Sequence, residues 1–184
     1  VKDSLVLDTC GTGGDRAHTF NISTTAAFVV AGAGITVAKH GNRSVSSKSG
    51  SADVLAALGV AIQLPPEQVA DCVNEVGIGF LFAPLYHSAM KHCAQPRQEL
   101  GIRTLLNILG PLTNPAEPPY SLIGAYSSEA ARLMAEAFAG LPIERVFVIH
   151  GEAGWDEPTP IGPFELYDVR PGHVERSMRD PRDL

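Results

Sequence analysis

ITVAKHGNRSVSSKSGSADVLAAL, residues 35–58, contains the signals of a strand, a polar connection and a helix in immediate succession. Residues 35–38 are apolar and β-prone, and residues 54–58 have the apolar character of a buried helix. The connection between them, residues 39–53, holds three cationic side chains, one histidine and five hydroxyls. A strand that passes directly into a helix is the building unit of a parallel sheet with crossover helices.

The rest of the chain repeats this alternation of strand and helix signals. Further strands are predicted at 4–8, 78–82, 121–125 and 145–150, with a hairpin within 164–174. Helices are predicted from an N-cap at Ser23 to about 33, over 51–58, from Pro65-Pro66-Glu67 to Gly77, in broken segments between 85 and 109, and over 128–139. Because 145–150 is almost purely apolar, the sheet should be covered on both faces. The fold class predicted is α/β, with a mainly parallel central sheet flanked by helices on both faces.

Length and composition limit the classes of protein to which this chain can belong. The 184 residues are enough for one α/β domain, and 45% of them are hydrophobic, as in ordinary globular proteins. No window is long and apolar enough to suggest a membrane span. The three cysteines lack CxxC spacing, which indicates free thiols in a reducing, cytoplasmic compartment. A net charge of −6 argues against a nonspecific grip on nucleic acid.

The polar connection has the composition of a phosphate-binding loop. Serine hydroxyls and the amides at a helix start can bind phosphate oxygens, while lysine and arginine neutralise their charge. A solvated surface loop is the alternative, but it rarely needs so many donors with so little bulk. The concentration of cations between Lys39 and Lys48 therefore favours an anionic ligand in an acidic protein.

A glycine-rich turn follows the first predicted strand. Gly11-Thr12-Gly13-Gly14-Asp15 forms this turn, and Asn21-Ile22-Ser23-Thr24 opens the next helix. Glycines let backbone amides approach a phosphate closely, although a tight turn would explain them equally, and the spacing is neither the dinucleotide fingerprint nor a P-loop. Together with the polar connection, the turn lies at the carboxyl ends of strands, where open α/β sheets bind their ligands.

Asp156 and Glu157 form an acidic doublet just past the strand that ends at His150-Gly151. Taken alone, the doublet is explained by a solvated acidic turn. Beside two phosphate-binding loops it indicates Mg²⁺, which usually links one or two carboxylates to substrate phosphates.

These motifs, with Arg103-Thr104 and the run from Asn107 to Pro115, resemble those of the anthranilate phosphoribosyltransferase family. The resemblance extends from about Leu7 to about Gly172. It implies a catalytic domain of the nucleoside phosphorylase/phosphoribosyltransferase type, and a pentosyl-transferring glycosyltransferase of tryptophan biosynthesis. The implied reaction transfers the phosphoribosyl group of 5-phosphoribosyl 1-diphosphate to the amine of anthranilate and releases diphosphate.

The resemblance also assigns roles to individual residues. It implies that phosphoribosyl diphosphate is bound by Gly11, Gly14, Asp15, Thr19, Asn21, Ile22, Ser23, Thr24, Lys39, His40, Gly41, Asn42, Arg43, Ser44, Val45, Ser46, Ser47 and Ser51. It implies that anthranilate is bound by Gly11, Asn42 and Arg97, and that Mg²⁺ is bound by Ser23, Asp156 and Glu157.

Arg97 suits its role because a guanidinium binds a carboxylate through two hydrogen bonds, although a surface arginine on a helix is the simpler interpretation. His40, His87 and the loop 110–115 are expected near the aromatic substrate, and His18 and His92 at the surface or in packing. No residue is assigned as a general acid or base.

Several features depart from the family pattern. The chain begins Val1-Lys2-Asp3 without an initiator Met, and only a few residues precede the glycine turn, where the family carries a helical domain. Residues 1–184 are therefore expected to be one partial α/β domain, truncated at both ends, of an enzyme whose full-length form is a homodimer. The family's usual Asp-Gly-Leu-Asp-Glu reads Ala153-Gly154-Trp155-Asp156-Glu157 here, which keeps the acidic doublet.

Two other functions stay open at this point. One is a pyrimidine nucleoside phosphorylase-like enzyme on a similar scaffold, against which Arg97 and Asn42 argue. The other is a noncatalytic relative that binds phosphates or nucleic acid. The acidic net charge disfavours nucleic acid, and a pure binding protein has no need of the acidic doublet.

Overall fold

The computed structural model describes residues 5–13, 20–43, 49–90, 92–93, 96, 99 and 104–183. Seven strands form a single sheet: β1 (Val6–Gly11), β2 (Thr36–Gly41), β3 (Ile78–Phe82), β4 (Tyr120–Gly124), β5 (Arg145–Gly151), β6 (Phe164–Arg170) and β7 (His173–Arg179). Their order across the sheet is β3-β2-β1-β4-β5-β6-β7. Strands β1 to β5 pair with one another in parallel, and β6 and β7 add an antiparallel edge. The predicted mainly parallel sheet is confirmed.

Helices connect the parallel strands. They are α1 (Ile22–Gly32), α2 (Ser51–Ala57), α3 (Pro66–Val76), α4 (Ala83–Tyr86), α5 (Leu106–Leu112) and α6 (Ser128–Phe138), with 3₁₀ turns at Ser88–Met90 and Pro181–Asp183. The described positions 92, 93, 96 and 99 are also helical. None of the helices in the described ranges is both long and apolar enough to cross a membrane.

Helices lie on both faces of the sheet, as predicted. On one face, the Thr9 hydroxyl of β1 donates a 2.9 Å hydrogen bond to the Ser23 carbonyl of α1. On the opposite face, α3 packs Val73 into the space beside Gly79 of β3. The sheet is therefore buried between two helical layers, which explains its continuous apolar strands.

The core lies mainly between α6 and strands β4, β5 and β6. Met134 of α6 and Val146 and Val148 of β5 are fully buried there. The Ser127 hydroxyl caps α6 by accepting a 3.2 Å hydrogen bond from the Ala130 amide. Burial of this apolar face fixes β5, and with it the loop that carries the acidic doublet.

The beginning of α1 differs from the prediction. Asn21, not Ser23, is the N-cap residue. Ser23 lies in the first turn, and its hydroxyl accepts a hydrogen bond from the Lys39 ammonium. The Thr25 hydroxyl donates to the Asn21 carbonyl at 3.1 Å. The bond from Lys39, a cation of a neighbouring strand, is a contact that a local sequence pattern does not show.

Other boundaries also differ from the predictions. The second strand, predicted at 35–38, runs from Thr36 to Gly41, so Lys39 and His40 lie in β2 and not in the polar connection. The first strand, predicted at 4–8, runs from Val6 to Gly11, because it continues its ladder with β4 as far as Gly124. The edge hairpin extends to Arg179, beyond the predicted 174. Helix α5 continues beyond the predicted 109 through Gly110 and Pro111, in the predicted loop 110–115, and ends one residue after the proline.

Candidate active site

The site is built where the parallel strands end. Strands β1, β2, β4 and β5 all end in glycine, at Gly11, Gly41, Gly124 and Gly151. Gly11 and Gly124 are direct neighbours in the β1–β4 ladder. Because glycine has no side chain, a neighbouring loop can lie directly on these strand ends. This is the edge of the sheet where α/β proteins bind ligands.

The acidic loop, residues 152–158, lies on these strand ends. Asp156 is only 8% exposed, and its carboxylate accepts a 2.7 Å hydrogen bond from the Gly13 amide. The Gly151 amide donates to the Trp155 carbonyl at 2.9 Å, and Gly154 has a left-handed φ of 84° that closes the turn. The acidic doublet and the glycine-rich turn are therefore in contact, although about 140 residues separate them in the chain.

Lys39 lies beneath the start of α1. It is 3% exposed, and its ammonium donates to the Thr9 carbonyl and, at 3.3 Å, to the Ser23 hydroxyl. Burial lowers the pKa of Lys39, while the charges of Asp8 and Glu157 act in the opposite direction. Lys39 thus links β2, β1 and α1 and fixes the orientation of Ser23.

A cavity of about 110 Å³ opens between α1, the sheet and the acidic loop. Its lining includes the Ser23 and Glu157 side chains, together with Thr9, Cys10, Ile22, Ala26, Leu122, Gly124, Ile149 and Pro158. Two of the three residues that the resemblance assigns to magnesium therefore face the same space.

The oxygen donors around this cavity are of the kind that bind magnesium. Ser23, Asp156 and Glu157 offer one hydroxyl and two carboxylates, which are the hard oxygen donors that Mg²⁺ prefers. Within the described ranges, no three His, Cys, Asp or Glu side chains cluster closely enough to hold a metal alone. Mg²⁺ ordinarily completes its coordination with water and substrate phosphates, so a cluster of that kind is not required.

Thr24 lies in the first turn of α1, and Cys10 lies near the end of β1. Thr24 is 2% exposed, and its hydroxyl has no hydrogen-bond partner in the described part of the chain. Burial raises the pKa of the Cys10 thiol, and the charge of Asp8 raises it further. Cys10 therefore stays protonated and is not suited to act as a nucleophile.

The two ends of the polar connection are tied to α2. The Arg43 guanidinium pairs with the Asp53 carboxylate at 2.8 Å, on the exposed side of the connection. The other oxygen of Asp53 accepts from the Gly50 amide at 2.9 Å, and the Asn42 carbonyl accepts from the Ser51 hydroxyl at 3.3 Å. Asn42 and Arg43 are therefore held against the start of a helix, the place where phosphate-binding loops bind their ligand.

His40 and His87 form a hydrogen-bonded pair beside the site. His40 Nδ1 lies 3.2 Å from the Gly110 carbonyl, and its Nε2 lies 3.2 Å from His87 Nε2. Because a carbonyl only accepts, His40 carries its proton on Nδ1, and His87 donates to the free Nε2 of His40. Burial, followed by the charge of His87, lowers the pKa of His40 to about 4, which is consistent with a neutral ring.

A buried latch connects the end of α5 to the sheet. The Asn114 amide donates to the Asp8 carboxylate at 2.9 Å and to the Ala38 carbonyl at 2.8 Å. Asp8 also accepts from the His40 amide at 3.3 Å, and burial raises its pKa. Asp8 belongs to none of the motifs that predict the site. An aspartate within a buried strand was the only signal that could have indicated it.

Several of the site residues predicted from the sequence lie outside the described ranges. They are Gly14, Asp15, Thr19, Ser44, Val45, Ser46, Ser47 and Arg97. Of the remainder, Gly11, Asn21, Ile22, Ser23, Thr24, Lys39, His40, Gly41, Asn42, Arg43 and Ser51 lie at the ends of β1 and β2 or at the starts of α1 and α2. A larger open depression of about 360 Å³ lies on the outer side of the acidic loop, between Glu152 and Arg182, and contains none of the predicted residues.

Comparison with known proteins agrees with this arrangement. The chain matches the model of the family described as "Glycosyl transferase family, a/b domain" over residues 3–184. Anthranilate phosphoribosyltransferase of Desulforudis audaxviator (strain MP104C) is 60% identical over 184 residues, which are 100% of this chain and 53% of that protein.

Two solved structures share the fold. Anthranilate phosphoribosyltransferase (TrpD) from Thermus thermophilus has a TM-score of 0.88 at 47% identity, and the similarity covers 100% of this chain and 54% of that one. The Saccharomyces cerevisiae enzyme, in complex with PRPP and Mg, has a TM-score of 0.87 at 34% identity, covering 98% and 50%. The chain thus spans about half the length of the relatives it matches.

The resemblance predicted from the motifs is confirmed along the whole chain. This resemblance agrees with the family match and with the mainly parallel sheet. It also agrees with the contact between the acidic doublet and the glycine-rich turn. The chain belongs to the glycosyl transferase family that is defined by this a/b domain.

Proposed function

We propose that this chain is the phosphoribosyl-binding part of an anthranilate phosphoribosyltransferase of tryptophan biosynthesis. The reaction moves the phosphoribosyl group of 5-phosphoribosyl 1-diphosphate to the amine of anthranilate and releases diphosphate. The observation that carries the proposal is the contact between the two motifs: the Asp156 carboxylate is hydrogen-bonded to the Gly13 amide of the glycine-rich turn. The names of its relatives support the same reaction.

The reaction separates charge, and the groups of the proposed site would stabilise the separated charges. Breaking the bond between the anomeric carbon and oxygen builds positive charge on the ribose and negative charge on the diphosphate. When bound, Mg²⁺ supplies positive charge that stabilises the leaving diphosphate. Ser23, Asp156 and Glu157 would hold this ion; the yeast relative, solved with PRPP and Mg, supports a need for magnesium.

The residues of the chain itself bind and orient the diphosphate substrate. Lys39 fixes the Ser23 hydroxyl through a hydrogen bond, and the amides at the start of α1 face the same end of the sheet. Preorganised donors of this kind stabilise charge without rearranging during the reaction.

Anthranilate would lie beside the histidine pair, with Asn42 as a contact. The neutral His40 ring suits an aromatic amine, because it adds no positive charge close to the developing cation. An aniline nitrogen is unprotonated at neutral pH, so the attack needs no general base. Orientation of the two substrates then supplies much of the rate acceleration.

Arg97 is proposed to bind the anthranilate carboxylate, and the residues of the glycine-rich turn and the polar connection to bind the diphosphate substrate. We further propose that the full-length protein is a cytoplasmic homodimer, of which residues 1–184 are one partial domain. These assignments rest on the resemblance, and the described contacts of Lys39, Asp53 and Asp156 are compatible with them.

The test is an assay for phosphoribosyl-anthranilate, which is followed by fluorescence. It uses the 184-residue chain and a version extended at both ends with the flanking sequence of the Desulforudis relative. We expect product from anthranilate, phosphoribosyl diphosphate and Mg²⁺, and none from thymidine or uridine with phosphate. Cleavage of either nucleoside, without use of anthranilate by the extended version, would instead identify a nucleoside phosphorylase.

A further inference from the structure

Gly124 is the position where the acidic loop lies closest to the sheet. A Cβ atom built on Gly124 would lie well under 3.0 Å from the backbone carbonyl oxygen of Asp156, and 2.6 Å from its carbonyl carbon. The obstructing atoms belong to the backbone, so they cannot swing aside as the end of a side chain can. Any residue larger than glycine at 124 must therefore push the loop away from the sheet.

Two neighbouring strand ends contact the same loop. A Cβ on Gly11 would lie 2.6 Å from the Asp156 carboxylate oxygen Oδ2. A Cβ on Gly151 would lie 3.0 Å from the Glu157 carbonyl and 3.4 Å from the Trp155 Cβ. We call Gly11, Gly124 and Gly151 the glycine shelf. Its members end β1, β4 and β5, and each one contacts a different part of the acidic loop.

Backbone conformation does not explain why these three residues are glycine. None of them has a positive φ, whereas Gly13, Gly34 and Gly154 do. A residue with a side chain could adopt the backbone of the shelf without strain. The close approach of the acidic loop is the feature that only glycine permits.

Crowding is not general among the described glycines, although Gly41 and Gly79 are crowded as well, each with a side-chain atom as its nearest neighbour. A Cβ on Gly32 or Gly162 would have no neighbour within 4 Å, and one on Gly140 would make an ordinary 3.6 Å contact. The shelf is also tied to the glycine-rich turn, because the Thr12 amide donates to the Gly124 carbonyl at 2.9 Å. The loop and the turn therefore rest on the same strand end.

We propose that the glycine shelf positions the acidic loop. By letting the loop lie close to the strand ends, it holds Asp156 and Glu157 where they can bind the metal of a bound diphosphate. The proposal rests on the function proposed above. Gly124 and Gly151 touch no reacting atom in this scheme. They act through the acidic loop, which a methyl group at either position would lift away from Ser23.

The chain contains a natural fluorescent side chain whose emission can be used for the test. Trp155 is its only tryptophan, and it directly precedes the acidic doublet. Its emission can be titrated with phosphoribosyl diphosphate, with and without Mg²⁺, in Gly124→Ala and Gly151→Ala. Gly140→Ala and Gly32→Ala are matched controls, because they add the same methyl group where there is room. Thermal unfolding of every variant reports whether it is folded.

We expect Gly124→Ala to lose about tenfold or more of the Mg²⁺-dependent affinity, since residues that orient metal ligands typically have effects of this size. The weak Mg²⁺-independent binding should persist, and both controls should bind like the unsubstituted chain. Gly151→Ala should show a smaller loss because its closest contact is longer. A folded Gly124→Ala with unchanged Mg²⁺-dependent affinity would overturn the proposal. If Gly124→Ala does not fold, Gly151→Ala decides in the same way.

Failure of the proposed function would look different. The unsubstituted chain would then bind no phosphoribosyl diphosphate in response to Mg²⁺. In that case the Trp155 emission of the ligand-free variants still tests the shelf. A shift in Gly124→Ala that is absent from Gly140→Ala would support displacement of the loop, and identical spectra would reject it.

Discussion

The Lys39 ammonium lies 3.3 Å from the Ser23 hydroxyl and also donates to the Thr9 carbonyl. One buried cation thus joins two strands to the first turn of α1. Ser23 lines the same cavity as Glu157, so the orientation of its oxygen matters for any metal held there. The hydrogen bond from Lys39 leaves a lone pair of this oxygen free to bind a cation.

Replacement of Lys39 should therefore weaken metal-dependent binding. In Lys39→Met the Ser23 hydroxyl loses its donor and is free to rotate, and we expect about tenfold weaker Mg²⁺-dependent binding of phosphoribosyl diphosphate. Calorimetry measures this loss. Arg179→Met, on the exposed edge strand β7, is the control for removal of one positive charge. Equal affinities in Lys39→Met and Arg179→Met would show that Lys39 does not position Ser23.

His40 should make the stability of the fold depend on pH. Burial lowers its pKa from 6.5 to about 4, so between these values the unfolded chain binds the extra proton and the folded chain does not. The free energy of unfolding should be highest above pH 6.5 and fall by up to about 3 kcal/mol as the pH decreases towards 4. Urea unfolding at a series of pH values measures this slope.

His40→Gln should reduce the slope, because glutamine does not titrate. A slope that persists in His40→Gln would mean that other groups cause it.

Asn114 should contribute strongly to stability. Its amide donates to Asp8 and to the Ala38 carbonyl in a buried place, so Asn114→Ala leaves two acceptors without their donor. We expect a loss of about 3 kcal/mol in the free energy of unfolding. Asn74→Ala, on the exposed side of α3, should cost far less. Similar losses in the two variants would show that the buried hydrogen bonds of Asn114 are not a special source of stability.

Arg97 should affect one substrate only. If its guanidinium binds the anthranilate carboxylate, Arg97→Ala should raise the KM for anthranilate and leave the affinity for phosphoribosyl diphosphate nearly unchanged. Steady-state kinetics on the extended version separate these two effects. Equal damage to both substrates would indicate that Arg97 supports the fold.

Much of the fold could be predicted from local sequence. Apolar runs such as Arg145–Gly151, separated by helical stretches, imply a buried parallel sheet, because only such strands are apolar on both faces. Pro66 and Gly77 mark the two ends of α3. The φ of proline suits the first turn of a helix, and Gly77 adopts the left-handed φ of 83° that ends it. The edge strand β7 was predicted too short because its alternating charged residues resemble those of a loop.

The contacts of the site could not be predicted in the same way. His40 and His87 are 47 residues apart, and Asp8 and Asn114 are 106 residues apart. No local pattern records such pairs, because the topology of the sheet brings them together. The hydrogen bond between Lys39 and Ser23 is another contact of this kind.

The most direct test of the central claim is calorimetric titration of the chain with phosphoribosyl diphosphate, with and without Mg²⁺. The chain should bind tightly only when Mg²⁺ is present. The double variant Asp156→Asn, Glu157→Gln keeps the size of both side chains and should lose this dependence. Mg²⁺-dependent affinity that is unchanged in the double variant would contradict the account.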